Sequence, residues 1–234
     1  MDWTTHILPN LLEIRQRGLR LLGVYGLLFL ACYYFANPLL EFILNPMISQ
    51  MGDAQTLIAT HVVSPLFIPL KLASYTALFL IFPLLSQQTF SFLAPALYQK
   101  EKRLLFILFI FSNLLFITGI LFCYVFIMPA MFNIFISSLP KAIHYMPDVT
   151  STFDFMLGLL FIFGLCFQIP LLMVLSVKLN WLTLNQLKHF RRYAIVLAFI
   201  IGMLLTPPDV FSQILLALPL WALYELGILL NRLF

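Results

Sequence analysis

The sequence predicts an all-α, polytopic membrane protein of six transmembrane helices, with both termini on the positively charged, cytoplasmic side and the last two helices short. Three observations predict it. The chain is 62% hydrophobic and only 9% charged over 234 residues, with a mean hydropathy of +1.02, whereas soluble domains carry about 25% charged residues. A soluble exterior cannot hide that much apolar surface, but a bilayer acts as its solvent. The apolar residues fall in long runs, and the basic residues gather on alternate connections between those runs.

The first run is LLGVYGLLFLACYYFA (21–36), and the second covers 66–85 with Lys71 inside it. The third covers 104–128, and the fourth, 155–177, carries no charge. All four are near or above the roughly 20 residues that a spanning helix needs. The last apolar region breaks at Thr206-Pro207-Pro208-Asp209, between YAIVLAFIIGMLL (193–205) and VFSQILLALPLWALYELGILL. Proline cannot continue a helix and disfavours helical angles before it, so two helices with a tight turn are expected. The first of these is about 20 Å long, short of a hydrocarbon core of about 30 Å. Either the membrane thins there or the hairpin does not fully cross; six helices are favoured over four plus a re-entrant hairpin.

Orientation comes from the cations. The N-terminus, the connections after the second and fourth helices and the C-terminus together hold Arg15, Arg17, Arg20, Lys100, Lys102, Arg103, Lys178, Lys188, Arg191, Arg192 and Arg232. The opposite side has only Lys141. That asymmetry places both termini in the cytoplasm. The two far-side connections, 37–65 and 129–153, mix proline with apolar residues, which predicts short interfacial helices capping the bundle. With no internal repeat and no polar stretch, the chain (1–234) reads as one integral membrane domain.

Several function classes fall away. Cys32, Cys123 and Cys166 lie in apolar runs and match no metal motif; His6, His61, His144 and His189 are scattered. No HExxH, GxSxG or phosphate-binding loop is present. The reading is therefore no enzyme, no catalytic residue, no metal, no cofactor and no nucleic-acid partner. Within the apolar runs the polar residues are Lys71, Asn113, Gln168 and Glu225. Four are few for the lined pathway of a small-solute transporter or channel, the alternative reading. Lys71 can snorkel, and Glu225, seven residues before Arg232 near the inner end of the last helix, has a pairing role open to it. Gln168 stands two residues before Pro170, where proline frees a carbonyl and bends the helix, so its amide serves either packing or function.

On the cytoplasmic side the carboxylates are Asp2, Glu13 and Glu101. Topology asks for lysine and arginine there, not for acids. Glu13 is four residues before Arg17, and Glu101 is flanked by Lys100, Lys102 and Arg103. Two readings fit: local charge balance, worth a few tenths of a kcal/mol for a helical pair, or reception of an external guanidinium, for which a carboxylate is the bidentate partner.

The strings LLEIRQR, SPLFIPLKL, FSFLAPALYQKEKR, FQIP and GMLLTPPDVFSQ, in order from about Asn10 to Arg232, resemble the TatC family, the large subunits of the twin-arginine protein translocase. The resemblance implies a receptor in the bacterial cytoplasmic (inner) membrane. It would bind the Arg-Arg signal peptide of folded precursors, act with the single-span partners TatA and TatB and the proton-motive force, and form a homo-oligomer within a larger complex. It implies that Glu13 and Glu101 bind the signal peptide, within a motif of Arg15, Arg17, Phe92, Pro95, Leu97, Tyr98 and Arg103. It also implies functional roles for Pro46, Asp209 and Gln213 on the outer side, and for the short final helices as a partner-docking surface. Two departures stand out. Asn10 replaces a frequent histidine, at little cost because asparagine also caps helices. Gln168 replaces a frequent glutamate, and an amide cannot take part in proton transfer, although it can hydrogen-bond a partner helix.

Overall fold

The computed structural model describes residues 3–48, 58–59, 63–93, 102–138, 146–206 and 209–233. Among the described residues the chain is helical, without a strand: α1 (Trp3–Tyr34), α2 (Ala36–Ile48), α3 (Ser64–Leu93), α4 (Lys102–Phe122), α5 (Met128–Ser137), α6 (Val149–Cys166), α7 (Ile169–Lys178), α8 (Leu184–His189), α9 (Arg191–Leu205) and α10 (Val210–Leu233). Four stretches are long and apolar enough to cross a membrane: Ser64–Ser91, Phe106–Ser137, Val149–Lys178 and Val210–Arg232. The pair Arg15–Tyr34 and Ala36–Ile48, bent by 78°, passes the same test only when its two helices are taken together. At 1.5 Å per residue α9 reaches about 22 Å, so its shortness, expected from the sequence, is retained.

The chain divides into two compact units. The first comprises Met1–Leu40 and Leu66–Asn113. Here α1 packs on α3 through Cys32, Ala73 and Ala77, small residues that let two backbones approach in the absence of a hydrophobic drive between helices. Polar ties supplement that packing: Tyr25 Oη lies 2.7 Å from Ser74 Oγ, and Ser86 Oγ donates to Asn113 Oδ1 at 3.3 Å. Asn113 in turn donates to the Phe109 carbonyl at 2.8 Å, which accounts for one of the polar residues in the apolar runs.

The second unit comprises Glu41–Pro65 and Leu114–Phe234. Its post is α6, apolar on every side from Phe155 onward and buried at Phe153, Met156, Leu157, Leu159, Leu160, Phe163 and Gly164. Asp148 caps its start, Oδ2 accepting the Ser151 N–H at 2.9 Å. Beside that cap the Ile58 N–H donates to Pro147 O at 3.1 Å and the Val149 N–H to Ile58 O at 3.0 Å, so two connections meet at one bridge.

Proline decides one departure from the sequence reading and one feature that it expected. The third apolar run was expected to end at Met128, but the helix continues to Ser137 through a π-helical turn, Cys123–Ile127. Pro129 has no N–H to return to Val125, so the ladder widens, and the Met128 N–H reaches back to Cys123 O. In the fourth run Pro170 leaves Cys166 O without its usual donor, and the helix breaks at Phe167–Gln168 before α7. At the other end of the chain, α1 begins well before the first apolar run and includes Asn10, which is not its cap.

Candidate functional site

The predicted signal-peptide residues belong to the first unit. Arg15 and Arg17 both lie on α1; Arg15 is exposed and Arg17 half-buried. Arg17 Nη1 donates to the Gln88 carbonyl at 3.3 Å. That carbonyl lies in the last two turns of α3, where the helix dipole favours positive charge. One guanidinium therefore fastens the polar part of α1 to the end of α3. Glu13 precedes Arg17 by one turn of α1; its side chain lies outside the described residues, as do those of Phe92, at the end of α3, and Arg103, at the start of α4. Pro95, Leu97, Tyr98 and Glu101 lie outside the described residues altogether.

The second unit holds the other predicted residues. Pro46 is buried inside α2. Gln168 is buried at the N-cap of α7, on the proline-made break. Asp209 and Gln213 are brought together at the turn between α9 and α10. Asp209 Oδ2 accepts the Ser212 N–H at 2.8 Å, capping α10. Gln213 Nε2 donates to the Phe199 carbonyl at 3.0 Å, tying α10 back to α9. Gly202 permits that approach: a Cβ there would sit 3.2 Å from the Gln213 carbonyl oxygen. Thr206 closes the end of α9, its hydroxyl donating to Gly202 O at 2.9 Å. Asp209 Oδ1 and Ser212 Oγ are buried there without a hydrogen-bond partner among the described residues.

The opposite end of the hairpin is tied by an ion pair whose partners the sequence reading named separately and did not join, and by a tyrosine that it did not single out. Arg191 Nη2 donates to Glu225 Oε2 at 2.7 Å across α9 and α10, and Tyr224 Oη donates to Leu187 O at 2.8 Å. Glu225 is thus paired with Arg191, not with the nearer Arg232. Helical spacing reveals partners three or four residues away and is silent about one 34 residues distant. Between the two ends Cys166, Ala198, Ala217, Leu220 and Leu223 form a continuous core. Among the described residues no group of His, Cys, Asp or Glu can hold a metal ion.

The model of the family described as Sec-independent protein translocase protein (TatC) matches residues 10–219. The chain belongs to the TatC family. It is 40% identical over 232 residues to the TatC protein of Haemophilus influenzae, covering 99% of this chain and 91% of that one. It is 38% identical over 229 residues to TatC of Escherichia coli K12, covering 98% and 89%. Its fold matches a crystal structure described as the twin-arginine translocase receptor TatC, with a TM-score of 0.84, 32% identity and coverage of 95% of this chain and 98% of that one. Membership makes the chain a component of a protein translocase in the inner membrane and not a catalytic enzyme. The TatC resemblance carried by the local strings and the family match by residue range agree from Asn10 onward.

Proposed function

We propose that this chain is the receptor subunit of a twin-arginine translocase. Glu13 and Glu101, surrounded by Arg15, Arg17, Phe92, Pro95, Leu97, Tyr98 and Arg103, bind the Arg-Arg pair of a folded precursor's signal peptide on the cytoplasmic side. The logic is electrostatic: a carboxylate attracts any cation, but it holds a planar guanidinium, which can bond both oxygens at once, better than a compact ammonium. The observation that carries the reading is the Arg17–Gln88 bond. It holds the Glu13-bearing stretch of α1 at the end of α3, the helix from which the chain runs on to Glu101. The apolar exposure of the short hairpin, at Val196, Leu204 and Phe211, outside both cavities of the hairpin, supports docking of TatA and TatB. Several copies then assemble into the working complex, export through it is driven by the proton-motive force, and each copy has six spans with both termini in the cytoplasm.

The test is site-specific photo-crosslinking in membranes with a probe at Gln99, beside Glu101, offered a twin-arginine and a twin-lysine precursor. Labelling by the arginine form alone is expected. Equal labelling, or none, removes the site. Glu101→Lys is expected to weaken precursor binding by about tenfold or more, as loss of a charge-assisted hydrogen bond implies, while membrane insertion stays intact. Normal precursor binding by that variant would also remove the site.

A further inference from the structure

A groove of about 410 Å³ runs between α7, α9 and α10. Its walls are Ile169, Ala194, Leu197, Ala198, Ile201 and Leu220, and its end nearest Arg191 and Arg192 is formed by Phe190 and Tyr193. The hydroxyl of Tyr224, which also lines it, is already committed to the Leu187 carbonyl at 2.8 Å. The walls therefore ask for an apolar occupant. From Phe190 to Ile201 the groove follows α9 for about 16 Å, which matches half of a hydrocarbon core of about 30 Å. That is the depth of one leaflet.

The basic end carries unspent charge. Arg191 is paired with Glu225, but the exposed Arg192 meets no carboxylate among the described residues. Its guanidinium lies 4.9 Å over the ring of Tyr193, which itself lines the groove, and its Nη2 is 3.0 Å from His189 Nε2. Lys188, two residues before Phe190, makes no ion pair among the described residues either. Trp181, 66% exposed on the turn between α7 and α8, is the kind of side chain that settles at the headgroup level. A smaller cavity on the other side of α9, about 250 Å³ and lined by Ile195, Phe199, Ile214, Leu218 and Trp221, has no basic residue in its wall. Neither wall contains a basic residue; what distinguishes the first is the Arg192 guanidinium lying over its lining Tyr193.

We propose that the groove between α7, α9 and α10 binds one anionic glycerophospholipid, an acyl chain lying along α9 and the headgroup phosphate held by Arg192 and Lys188. Basic residues at the mouth of an interhelical pocket are the usual recognition element for such headgroups. A docked transmembrane helix would use the same apolar wall, but it would have no use for two unneutralised cations at one end. The proposal does not depend on the receptor reading, because it concerns different residues and a different ligand.

The experiment is native mass spectrometry of the full chain released from nanodiscs of equal parts phosphatidylglycerol and phosphatidylcholine. One retained phosphatidylglycerol is expected, favoured over phosphatidylcholine by about thirtyfold, the scale expected for two cations near a charged surface. The double variant Lys188→Gln/Arg192→Gln, changed only at the rim, should bring the preference close to unity. Leu197→Trp, which fills the groove, should lose the adduct, whereas Leu218→Trp in the second cavity should keep it. Equal retention of both lipids by the unaltered chain, or an undiminished preference in the double variant, would overturn the headgroup site. An adduct that survives Leu197→Trp would overturn the acyl-chain position. Crosslinking of a Leu197→Cys chain in membranes to a single-span protein, in place of lipid, would give the groove to a helix and end the proposal.

Discussion

The span Val149–Lys178 has 67% of its apolar window buried by protein, whereas Ser64–Ser91 has 28%, although both are apolar enough to cross a bilayer. Hydropathy does not separate a helix that lipid surrounds from one that protein surrounds; side-chain size does. On α6 the helix meets close neighbours through glycine. A Cβ at Gly164 would fall 2.8 Å from the ring of Phe116, and a Cβ at the facing Gly119 would fall 2.8 Å from the Phe163 carbonyl oxygen. In the first unit the glycines of α1 are different: a Cβ at Gly18, Gly23 or Gly26 meets nothing within 4 Å. One set of glycines permits packing between helices, and the other leaves a helix face free, in the unit that carries the predicted signal-peptide residues.

The largest effect expected from this contrast is at Gly119. Gly119→Ala places a methyl group against a backbone carbonyl and the Phe167 side chain, and neither can rotate freely out of the way. Overpacking of this kind costs about 1–3 kcal/mol, which for a chain of this size lowers the melting temperature by about 2–4 °C for each kcal/mol. Thermal unfolding in detergent, followed by size-exclusion chromatography, measures it. An unchanged midpoint would mean that the two helices separate at this point without loss, and the packing account of the second unit would fail.

A smaller loss is expected at the basic end of the hairpin. Glu225→Gln removes the anion facing Arg191, whose Nε is buried without a partner. The side chains are 42% and 26% exposed, so water screens the pair and the loss should be about 1–2 kcal/mol. In the double variant Arg191→Gln/Glu225→Gln no charge is stranded, and its loss should be less than the sum of the two single losses. Additive losses in the thermal assay would show that the two side chains act separately.

This pair also marks how far the sequence could be read. Apolar runs and proline breaks are local, and from them the helices, the short α9 and the break between α9 and α10 follow directly. The capping role of Asp209 is local too. The continuation of the third run to Ser137 was missed because Pro129 was read as a stop, whereas a π-helical turn accommodates its missing N–H. The pairing of Glu225 with Arg191 and the bond from Arg17 to Gln88 join residues 34 and 71 positions apart. No periodicity encodes such distances. Glu13 and Glu101 were a third case: their charge pattern permitted simple neutralisation, and only the resemblance of the surrounding strings to a known family singled them out.

The smallest effect is expected in the open glycines, and its sign is opposite. Gly23 sits inside α1 with open space around its missing side chain. Glycine in a helix costs about 0.5–1 kcal/mol relative to alanine because it loses more backbone freedom on folding. Gly23→Ala adds no clash, so it should stabilise the chain and raise the melting midpoint by a few degrees at most, about 2–4 °C per kcal/mol. The same thermal assay used for Gly119→Ala makes the comparison direct: one added methyl group, two glycines, opposite shifts. A fall in the midpoint for Gly23→Ala would reveal a close neighbour on that face of α1, for example a second copy of the chain retained in detergent. Repeating the measurement on the monomeric and oligomeric fractions would then assign the face to self-association, because the penalty would appear in the oligomer alone.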